Sequence, residues 1–381
     1  MSWNAAKAAS PEPRSRVLVV DDTVTYRRIM TDVVERLEDA EIVGTAPNGR
    51  IALLKIEQLK PDLVFLDVEM PEMDGLETLK ALKPRWPHIG VVMVSGASTH
   101  NADITIKCLQ SGAIDFVPKP EGMGIDASVE WLRKQISTVL MLHRTRQRTA
   151  AMRAGRDSRP ESAPAILPPP PPPPSARIAP VPGVFDVLAI GCSTGGPEAL
   201  GKIIPLLPGD LGVPVLLVQH MPPKFTESLA RNLDGKSPLA VKEAADGEPI
   251  LRNTVYIAPG GRHMVVREEA GQTERRIGIN ENPPVKSCRP SVDVLFRSVA
   301  NTYGKNILAV VLTGMGDDGA DGVATLKRKG CYCITQSAAT CVVYGMPRAI
   351  DEAGLSDAQI ALPEIATRIA DKIRPFGRRS T

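Results

Sequence analysis

Three nearly continuous apolar runs mark the second half of the chain, and each ends at a cluster of glycine or polar residues. The runs cover residues 185–190, 213–218 and 307–312. Runs of consecutive apolar residues are typical of strands that helices cover on both faces, as in parallel sheets. The pattern therefore predicts a doubly wound α/β domain with a mainly parallel sheet for this half.

Shorter apolar runs recur in the first half and alternate with stretches of helical periodicity. Four runs lie at residues 16–20, 63–66, 91–94 and 114–118, and helical patterns cover, for instance, residues 26–37 and 49–59. Strands that alternate with helices are typical of a parallel sheet. The spacing predicts a repeat of five β/α units that is separate from the second half.

The residues that follow the apolar runs of the second half indicate a hydrolytic site. Ser193 lies in a glycine turn after the first run, His220 follows the second, and Asp317 and Asp318 follow the third. In open α/β sheets the functional site lies at the carboxyl ends of the strands. This placement predicts Ser193 as a nucleophile, His220 as its base, and one of the two aspartates as the carboxylate that orients the histidine.

Other interpretations of these residues remain open. A glycine turn before a helix can bind phosphate, and His220 can be a histidine that is merely hydrogen-bonded. The acidic turn after the third run can be a cation loop, although its spacing differs from that of the calcium-binding loop. A different triad would combine Ser193 with Asp246 and His263, in the chain order of the α/β-hydrolases. A turn precedes His263 where a strand would be expected, so the pattern favours His220.

Acidic residues also follow the apolar runs of the first half. Asp21 and Asp22 follow the first run, and Asp67 follows the second. Three carboxylates at neighbouring strand ends predict a site for a divalent cation, and Mg²⁺ is the expected ion because it prefers carboxylate oxygens. Ser95 and Lys119 follow the last two runs, and a hydroxyl and an ammonium group at this edge would suit a phosphoryl group on Asp67. A lone acid at a strand end is commonly a helix cap, but five such polar residues in order favour a phosphorylation site.

Two sets of motifs resemble known families. Residues 16 to about 140 resemble the receiver domain of two-component response regulators, through the motifs at 20–22, 66–75, 94–97 and 115–120. Residues 184 to about 372 resemble the catalytic domain of the chemotaxis protein-glutamate methylesterase, which is also a protein-glutamine glutaminase. The motifs of that half lie at 191–196, 219–226, 256–260, 289–296, 312–319 and 341–347. They are long, in order, and cover nearly the whole domain.

In the second half the resemblance implies Ser193, His220 and Asp318 as the catalytic residues. It selects Asp318 over Asp317, because the family's aspartate directly precedes the glycine of the motif Gly-Met-Gly-x-Asp-Gly. The backbone N–H of Met315 is an expected oxyanion donor. No cofactor is expected at the hydrolase site.

In the first half the resemblance implies a flavodoxin-like, five-stranded parallel receiver domain that is phosphorylated on Asp67. It implies that Mg²⁺ is bound there for phosphorylation, and that two residues, Ser95 and Lys119, contact the phosphoryl group. The implied metal site consists of Asp21, Asp22, Asp67 and the backbone carbonyl of Glu69.

The implied activity is that of a phosphorylation-activated serine hydrolase in chemotactic adaptation. It demethylates glutamate methyl esters on chemoreceptors, releasing methanol, and it deamidates glutamines. The implied partners are a chemotaxis histidine kinase as phosphodonor and the cytoplasmic domains of methyl-accepting chemoreceptors as substrate. Two rival functions remain, namely a second half that binds DNA or protein without catalysis, and a general esterase or amidase of small molecules. No helix-turn-helix pattern or basic output region is visible after residue 184, which disfavours the first rival.

The composition of the chain excludes only a few classes of function. The chain has 381 residues, enough for two domains, and its 46 basic and 43 acidic residues give a net charge of +3, with no bias toward nucleic acid or membrane surfaces. We find no apolar run long enough to span a bilayer and no signal-peptide pattern at the start. Six cysteines without a Cys-x-x-Cys pair indicate reduced thiols. We therefore expect a cytoplasmic protein that is not inserted in a membrane.

The domain boundaries follow from these patterns. We predict an N-terminal extension over residues 1–14, a receiver domain over 15–142, a linker over 143–182, a catalytic domain over 183–375 and a tail over 376–381. The predicted linker holds six arginines between residues 143 and 160 and seven consecutive prolines at 168–174. The prolines favour a stiff polyproline II segment, and the arginines would continue the last receiver helix or dock on an acidic partner.

Overall fold

The computed structural model describes residues 14–120, 122, 124–157, 185–268 and 274–373. Contacts divide the chain into two compact units, the first formed by residues up to 96 together with 115–144, and the second by residues 97–114 together with those from 145 on. The predicted N-terminal extension except residue 14, the predicted tail and the proline run lie outside the described residues, as do 121, 123 and 269–273.

A five-stranded sheet forms the first unit. Its strands lie in the order β2-β1-β3-β4-β5, and all neighbouring pairs are parallel. This is the flavodoxin-like order and confirms the predicted fold. The strands are β1 Ser15–Val20, β2 Ala40–Ala46, β3 Leu63–Asp67, β4 Gly90–Ser95 and β5 Asp115–Pro118.

Helices α2, α3 and α4 of the receiver region are capped by short polar side chains. Asn48 accepts a hydrogen bond from the N–H of Ile51 at 3.0 Å, and Asp74 forms a capping box with Glu77, which satisfies amide donors that each helix start leaves free. The last helix of the receiver region continues through residues 143–157 of the predicted linker. The helices are α1 Val24–Glu35, α2 Gly49–Leu59, α3 Gly75–Arg85, α4 Thr99–Gln110 and α5 Ile125–Asp157.

A seven-stranded sheet forms the second unit. Its strands lie in the order β14-β13-β12-β6-β7-β9-β8, and every neighbouring pair is parallel, in agreement with the predicted doubly wound α/β fold. An antiparallel hairpin of β10 and β11 is separate from this sheet. The strands are β6 Val187–Cys192, β7 Val215–Gln219, β8 Ala240–Glu243, β9 Thr254–Ile257, β10 His263–Glu268, β11 Arg275–Asn280, β12 Ile307–Val311, β13 Tyr332–Gln336 and β14 Ala358–Ile360.

Helices follow most strands of the second unit. They are α6 Gly196–Ile203, α7 Phe225–Asp234, α8 Val292–Tyr303, α9 Ala320–Arg328, α10 Met346–Glu352 and α11 Leu362–Ile373. The apolar strands β6, β7 and β12 are fully buried, as their uninterrupted apolar sequence predicts. A side chain at Gly191 would collide with Val292, so glycine lets the end of β6 approach α8 closely. Because β12, β6 and β7 are neighbours at the centre of the sheet, their carboxyl ends lie side by side.

Among the described residues, we find no helix that combines the length and the apolar composition needed to cross a membrane.

Candidate active site

Ser193 lies on a sharp turn between β6 and α6. Gly195 has a φ of 79°, in the left-handed region that favours glycine, and Pro197 lies in the first turn of α6. The N–H of Ser193 donates to the carbonyl of Thr313 at 3.0 Å, and its carbonyl accepts from the N–H of Gly196 at 2.7 Å. The serine is therefore fixed both to the start of α6 and to the segment that follows β12.

His220 lies beside Ser193 because their strands are neighbours in register. Cys192 pairs with Gln219 in the ladder of β6 and β7, and the N–H of His220 donates to the carbonyl of Cys192 at 3.1 Å. The buried Gln219 links the two positions further, since its Nε2 donates to the Ser193 carbonyl at 3.0 Å. The Cys192 thiol donates to Gln219 Oε1 at 3.1 Å, and complete burial raises its pKa.

Asp318 is the aspartate that contacts the histidine. Its Oδ2 lies 2.8 Å from His220 Nε2, and it is only 2% exposed. Three further donors surround the carboxylate, namely the Ser291 hydroxyl at 2.8 Å, the Val292 N–H at 2.7 Å and the Asp293 N–H at 3.1 Å. Burial alone would raise the pKa of Asp318, but the hydrogen bonds from His220 and from these N–H groups outweigh it and lower the pKa.

The neighbouring Asp317 has a different environment. Its side chain is 62% exposed, and its carboxylate oxygen lies 3.0 Å from Lys286 Nζ. The structure thus separates the two aspartates, whose spacing in the sequence cannot distinguish them.

The protonation of His220 is set by opposing effects. Burial disfavours the charged imidazolium and lowers the pKa of His220. Hydrogen bonds with Asp318 and with the thiol of Cys288 outweigh that effect, and the pKa rises to about 9. Cys288 Sγ lies 3.6 Å from Nδ1, the ring nitrogen that does not face Asp318. Sequence reasoning missed Cys288 and Ser291, although Cys288 directly precedes the motif at 289–296 and Ser291 lies inside it.

The remaining predicted groups of this site are the hydroxyl of Ser193 and the backbone N–H of Met315. Among the hydrogen bonds of the described residues, none joins Ser193 Oγ to His220, and none uses the N–H of Met315. Met315 lies in a tight turn whose next residue, Gly316, has a φ of 79°. A side chain on Gly314 would come within 2.8 Å of Ser193 Cβ. The turn that contains Met315 therefore packs against the serine.

The contacts of His263 and Asp246 do not assemble the alternative triad. His263 is fully buried in β10, and its Nε2 lies 3.2 Å from the carbonyl of Pro283. Asp246 accepts a hydrogen bond from the N–H of Ile279 at 2.7 Å instead of contacting His263.

A second cluster of polar residues lies at the strand ends of the receiver sheet. Lys119 Nζ lies 2.8 Å from Asp21 Oδ2 and 2.9 Å from Asp67 Oδ2. Asp22 is exposed, and its carboxylate lies with those of Asp21 and Asp67 in a group whose ligand atoms are within 4.8 Å of one another. Oxygen donors of this number and spacing fit a hard divalent cation.

The two buried aspartates of this cluster differ in their pKa. Burial raises the pKa of Asp67, and the charge of Asp21 adds to that effect; Lys119 offsets it only in part, so the pKa is about 7. The pKa of Asp21 is lowered, because Lys119 and two hydrogen bonds from Thr23 outweigh its burial. Asp67 is thus the less stabilised of the two carboxylates in the absence of a cation.

The other predicted receiver residues lie around this cluster. Ser95 is fully buried at the end of β4, and its hydroxyl donates to the carbonyl of Gly96 at 3.2 Å. Glu69 lies two residues beyond Asp67 and is exposed. The Lys119 ammonium also lies 4.6 Å from the centre of the Tyr26 ring, a contact that sequence reasoning missed.

The two folds define a response-regulator receiver domain followed by a hydrolase-type α/β domain. Comparison with protein families agrees with this class. A family described as CheB methylesterase matches residues 188–369, and one described as response regulator receiver domain matches residues 17–125.

Similar proteins extend over nearly the whole chain. The protein-glutamate methylesterase/protein-glutamine glutaminase of Desulfotalea psychrophila is 42% identical, over 95% of this chain and 99% of its own. That of Geobacillus kaustophilus is 43% identical, over 94% and 98%. The crystal structure of the Thermotoga maritima CheB methylesterase catalytic domain is 40% identical, with a TM-score of 0.48, over 49% of this chain and 98% of its own. The chain belongs to the protein-glutamate methylesterase/protein-glutamine glutaminase family, which confirms the resemblance.

Proposed function

We propose that this protein is a serine hydrolase that demethylates glutamate methyl esters on chemoreceptors, releasing methanol, and deamidates their glutamines. The observation that carries the proposal is the partly buried His220–Asp318 hydrogen bond of 2.8 Å at strand ends adjacent to that of Ser193. A histidine that a carboxylate orients beside a serine is the arrangement of a nucleophilic triad.

The hydrogen bond to Asp318 determines which nitrogen of His220 acts as the base. With Nε2–H donated to Asp318, the neutral ring has its lone pair on Nδ1. In the proposed acylation step, Ser193 Oγ attacks the γ-carbonyl carbon of a methylated glutamate while Nδ1 accepts the hydroxyl proton. The proton then passes to the departing methanol oxygen as the ester C–O bond breaks, and an acyl-serine remains.

Water completes the reaction by the same route. It attacks the acyl carbon and gives its proton to Nδ1, which returns a proton to Ser193 Oγ as the acyl–oxygen bond breaks. For a glutamine side chain the leaving group is ammonia. The N–H of Met315, in the turn that packs against Ser193, is our proposed donor to the oxyanion of both steps.

We propose Asp67 as the residue that accepts a phosphoryl group from a chemotaxis histidine kinase. Asp21, Asp22, Asp67 and the backbone carbonyl of Glu69 would hold Mg²⁺, which neutralises phosphoryl charge when it is bound. Lys119 is already within hydrogen-bond distance of Asp67, and it would transfer that contact to a phosphoryl oxygen. Ser95 would supply a hydroxyl to the same group.

Phosphorylation is proposed to activate the hydrolase, as the family resemblance implies. The unphosphorylated receiver domain would restrain the catalytic domain in a two-state equilibrium, and the charge added at Asp67 would shift that equilibrium. Deletion of residues 1 to about 175 should therefore raise basal esterase activity. Unchanged or lower activity after the deletion would contradict this form of control.

The test of the function follows methanol release from membranes that carry radiolabelled, methylated chemoreceptors. Full-length protein is assayed with and without acetyl phosphate and Mg²⁺, beside the Ser193→Ala variant. We expect release that acetyl phosphate stimulates and that the variant lacks. No release under any condition would refute the proposed substrate, and release by Ser193→Ala would refute the nucleophile. We further propose that the cytoplasmic domains of the receptors are the natural substrate and that the protein works in the cytoplasm.

A further inference from the structure

The thiol of Cys288 occupies a position that the proposed reaction does not use. Its Sγ lies 3.6 Å from His220 Nδ1, while Asp318 Oδ2 lies 2.8 Å from Nε2 on the other side of the ring. Ligand atoms of the three residues lie within 4.8 Å of one another. A thiol and a carboxylate therefore lie beside the two different ring nitrogens of His220 in the hydrolase site.

A tight turn fixes the position of this thiol. Val285 and Cys288 form both backbone hydrogen bonds of a two-residue hairpin turn, at 3.1 and 2.9 Å. Its central residues, Lys286 and Ser287, have φ values of 48° and 64°, the pattern of a type I′ turn, although neither is a glycine. Non-glycine residues adopt this conformation only where the surroundings hold them there.

Charge pairing supplies the restraint on the turn. Lys286 Nζ lies 3.0 to 3.2 Å from carboxylate oxygens of Asp293, Asp317 and Asp321. Asp293 is fully buried, and its other oxygen accepts hydrogen bonds from Gly319 and Gly322. The turn is thus bound to the segment that carries Asp318, and Cys288 is held beside the histidine by the fold.

The donor atoms and their spacing fit zinc. Zn–S and Zn–N bonds of about 2.3 and 2.0 Å at a tetrahedral angle place the two donors about 3.5 Å apart, close to the observed 3.6 Å. Imidazole and thiolate ligands favour Zn²⁺ over Mg²⁺, which prefers oxygen. A zinc-bound histidine commonly donates its other N–H to a carboxylate, and Asp318 already occupies that place on His220.

We propose that His220 Nδ1 and Cys288 Sγ bind Zn²⁺, and that the bound ion inhibits the hydrolase. Asp318 keeps its hydrogen bond to Nε2, and water completes the coordination. The thiol loses its proton to solvent as the Zn–S bond forms. Inhibition follows because the metal occupies the lone pair that must accept the Ser193 proton. This second half of the proposal rests on the proposed function, whereas the binding of zinc does not.

Cobalt(II) is the probe for binding, because a thiolate ligand gives it a charge-transfer absorption that a carboxylate site lacks. Full-length protein is titrated with Co²⁺ in excess Mg²⁺, which fills the receiver carboxylates. We expect the thiolate band in the wild type, its loss in Cys288→Ser, and its displacement by Zn²⁺. The matched control is Cys341→Ser, which removes the other cysteine that is not fully buried and should keep the band. Absence of the band in the wild type, or its presence in Cys288→Ser, would overturn the site.

Zinc affinity and inhibition are then measured on the same proteins, after far-ultraviolet circular dichroism has verified their folding. Competition with a chelating dye should show at least a tenfold loss of zinc affinity in Cys288→Ser. Zinc should suppress the wild-type hydrolysis rate reversibly, with recovery in EDTA, and Cys288→Ser should need at least tenfold more zinc. Zinc bound at Cys288 without any loss of hydrolysis would overturn the inhibition. A protein without hydrolase activity in EDTA would refute the proposed function, while the cobalt spectrum would still decide the metal site.

Discussion

The receiver site and the hydrolase site both lie at the carboxyl ends of parallel strands, yet the pKa of buried Asp67 is raised in the first and that of buried Asp318 is lowered in the second. In the receiver site, Asp21 and Asp67 share the one ammonium group of Lys119. In the hydrolase site, the single carboxylate of Asp318 receives hydrogen bonds from a histidine, a hydroxyl and two backbone N–H groups. The two buried carboxylates of the receiver site thus share a single positive charge, whereas every contact named for the carboxylate of Asp318 is with a hydrogen-bond donor.

This difference matches the chemistry proposed for each site. Burial, with the charge of Asp21 added to it, keeps the pKa of Asp67 at about 7, and the cluster offers its oxygens to a cation. A carboxylate that is saturated with donors stays ionised, as the lowered pKa of Asp318 indicates, and can hold one ring nitrogen of His220. Under the proposed function, the same sheet geometry would give a site that binds an ion in one domain and a site that orients a base in the other.

The largest effect is expected from Asp318→Asn. An amide in place of the carboxylate can donate to Nε2, which would favour the tautomer with the proton on Nδ1 and remove the base. We expect kcat for ester hydrolysis to fall about 10⁴-fold, the size of the loss in serine proteases with the equivalent change.

The matched control is Asp317→Asn, which alters the adjacent, exposed carboxylate. Its contact with Lys286 is a surface ion pair, so kcat should change less than about threefold. Comparable losses in the two variants would contradict the assignment of Asp318 as the orienting carboxylate.

The second prediction concerns the stability of the receiver domain. Because the pKa of Asp67 rises from 3.8 to about 7 on folding, ionised Asp67 costs stability. That cost is absent below the unfolded pKa, grows between the two values and is complete above the folded one. At about pH 8 we expect Asp67→Asn to raise the free energy of unfolding by up to about 4 kcal/mol. Denaturant unfolding should show this gain, and it should vanish near about pH 4.

Magnesium provides the control for this comparison. Mg²⁺ should stabilise the wild-type receiver domain by binding its folded state, and it should stabilise Asp67→Asn much less. Asp22→Asn changes an exposed ligand, and it should weaken the response to Mg²⁺ without the gain in metal-free stability. A loss of stability in metal-free Asp67→Asn would show that the pairing with Lys119 outweighs burial.

For both sites, the sequence could predict which polar residues lie at the ends of strands. Uninterrupted apolar runs fix where a buried strand stops, so Ser193, His220 and Asp318 could be assigned to one sheet edge before their geometry was known. The same rule placed Asp21, Asp67 and Lys119. The choice between Asp317 and Asp318 needed the family motif, because either residue satisfies the spacing.

The contacts made by loops could not be predicted. Cys288 reaches His220 through a turn of two non-glycine residues with positive φ, and residues 281–291 carry no periodic pattern that indicates it. The arginine-rich segment was expected to continue the last receiver helix, and α5 does continue to Asp157, but the residue at which it ends could not be predicted. Such features depend on tertiary pairing, as in the contacts of Lys286 with three aspartates.

The third prediction is a pH profile that only the hydrolase site should control. Burial lowers the pKa of His220, but hydrogen bonds with Asp318 and Cys288 raise it to about 9. Since the base must be neutral, kcat/KM should rise about tenfold per pH unit below that value and level off above it. Protonated His220 contributes stability that is complete below its unfolded pKa and is lost as pH rises through about 9.

Cys288→Ala provides the comparison for this profile. Loss of the thiol removes one of the hydrogen bonds that raise the pKa of His220, so the rising limb should move to lower pH. Asp67→Asn should leave the limb in place, because it changes only the receiver site. A wild-type profile already level at neutral pH would contradict a raised pKa.

The smallest effect is expected from Ser291→Ala, which tests whether a helix cap also supports Asp318, the carboxylate proposed to orient His220. Ser291 caps α8 by accepting from the N–H of Val294 at 3.4 Å, and its hydroxyl donates to Asp318 Oδ1 at 2.8 Å. Loss of both contacts should cost about 2 kcal/mol of stability. It should also lower kcat about tenfold, because Asp318 would hold His220 less firmly. Asn48→Ala removes a receiver cap with no such second contact and should cost about 1 kcal/mol without changing the basal kcat. Equal kcat in the two variants would mean that Ser291 acts only as a cap and that the remaining donors suffice to keep Asp318 ionised and in place.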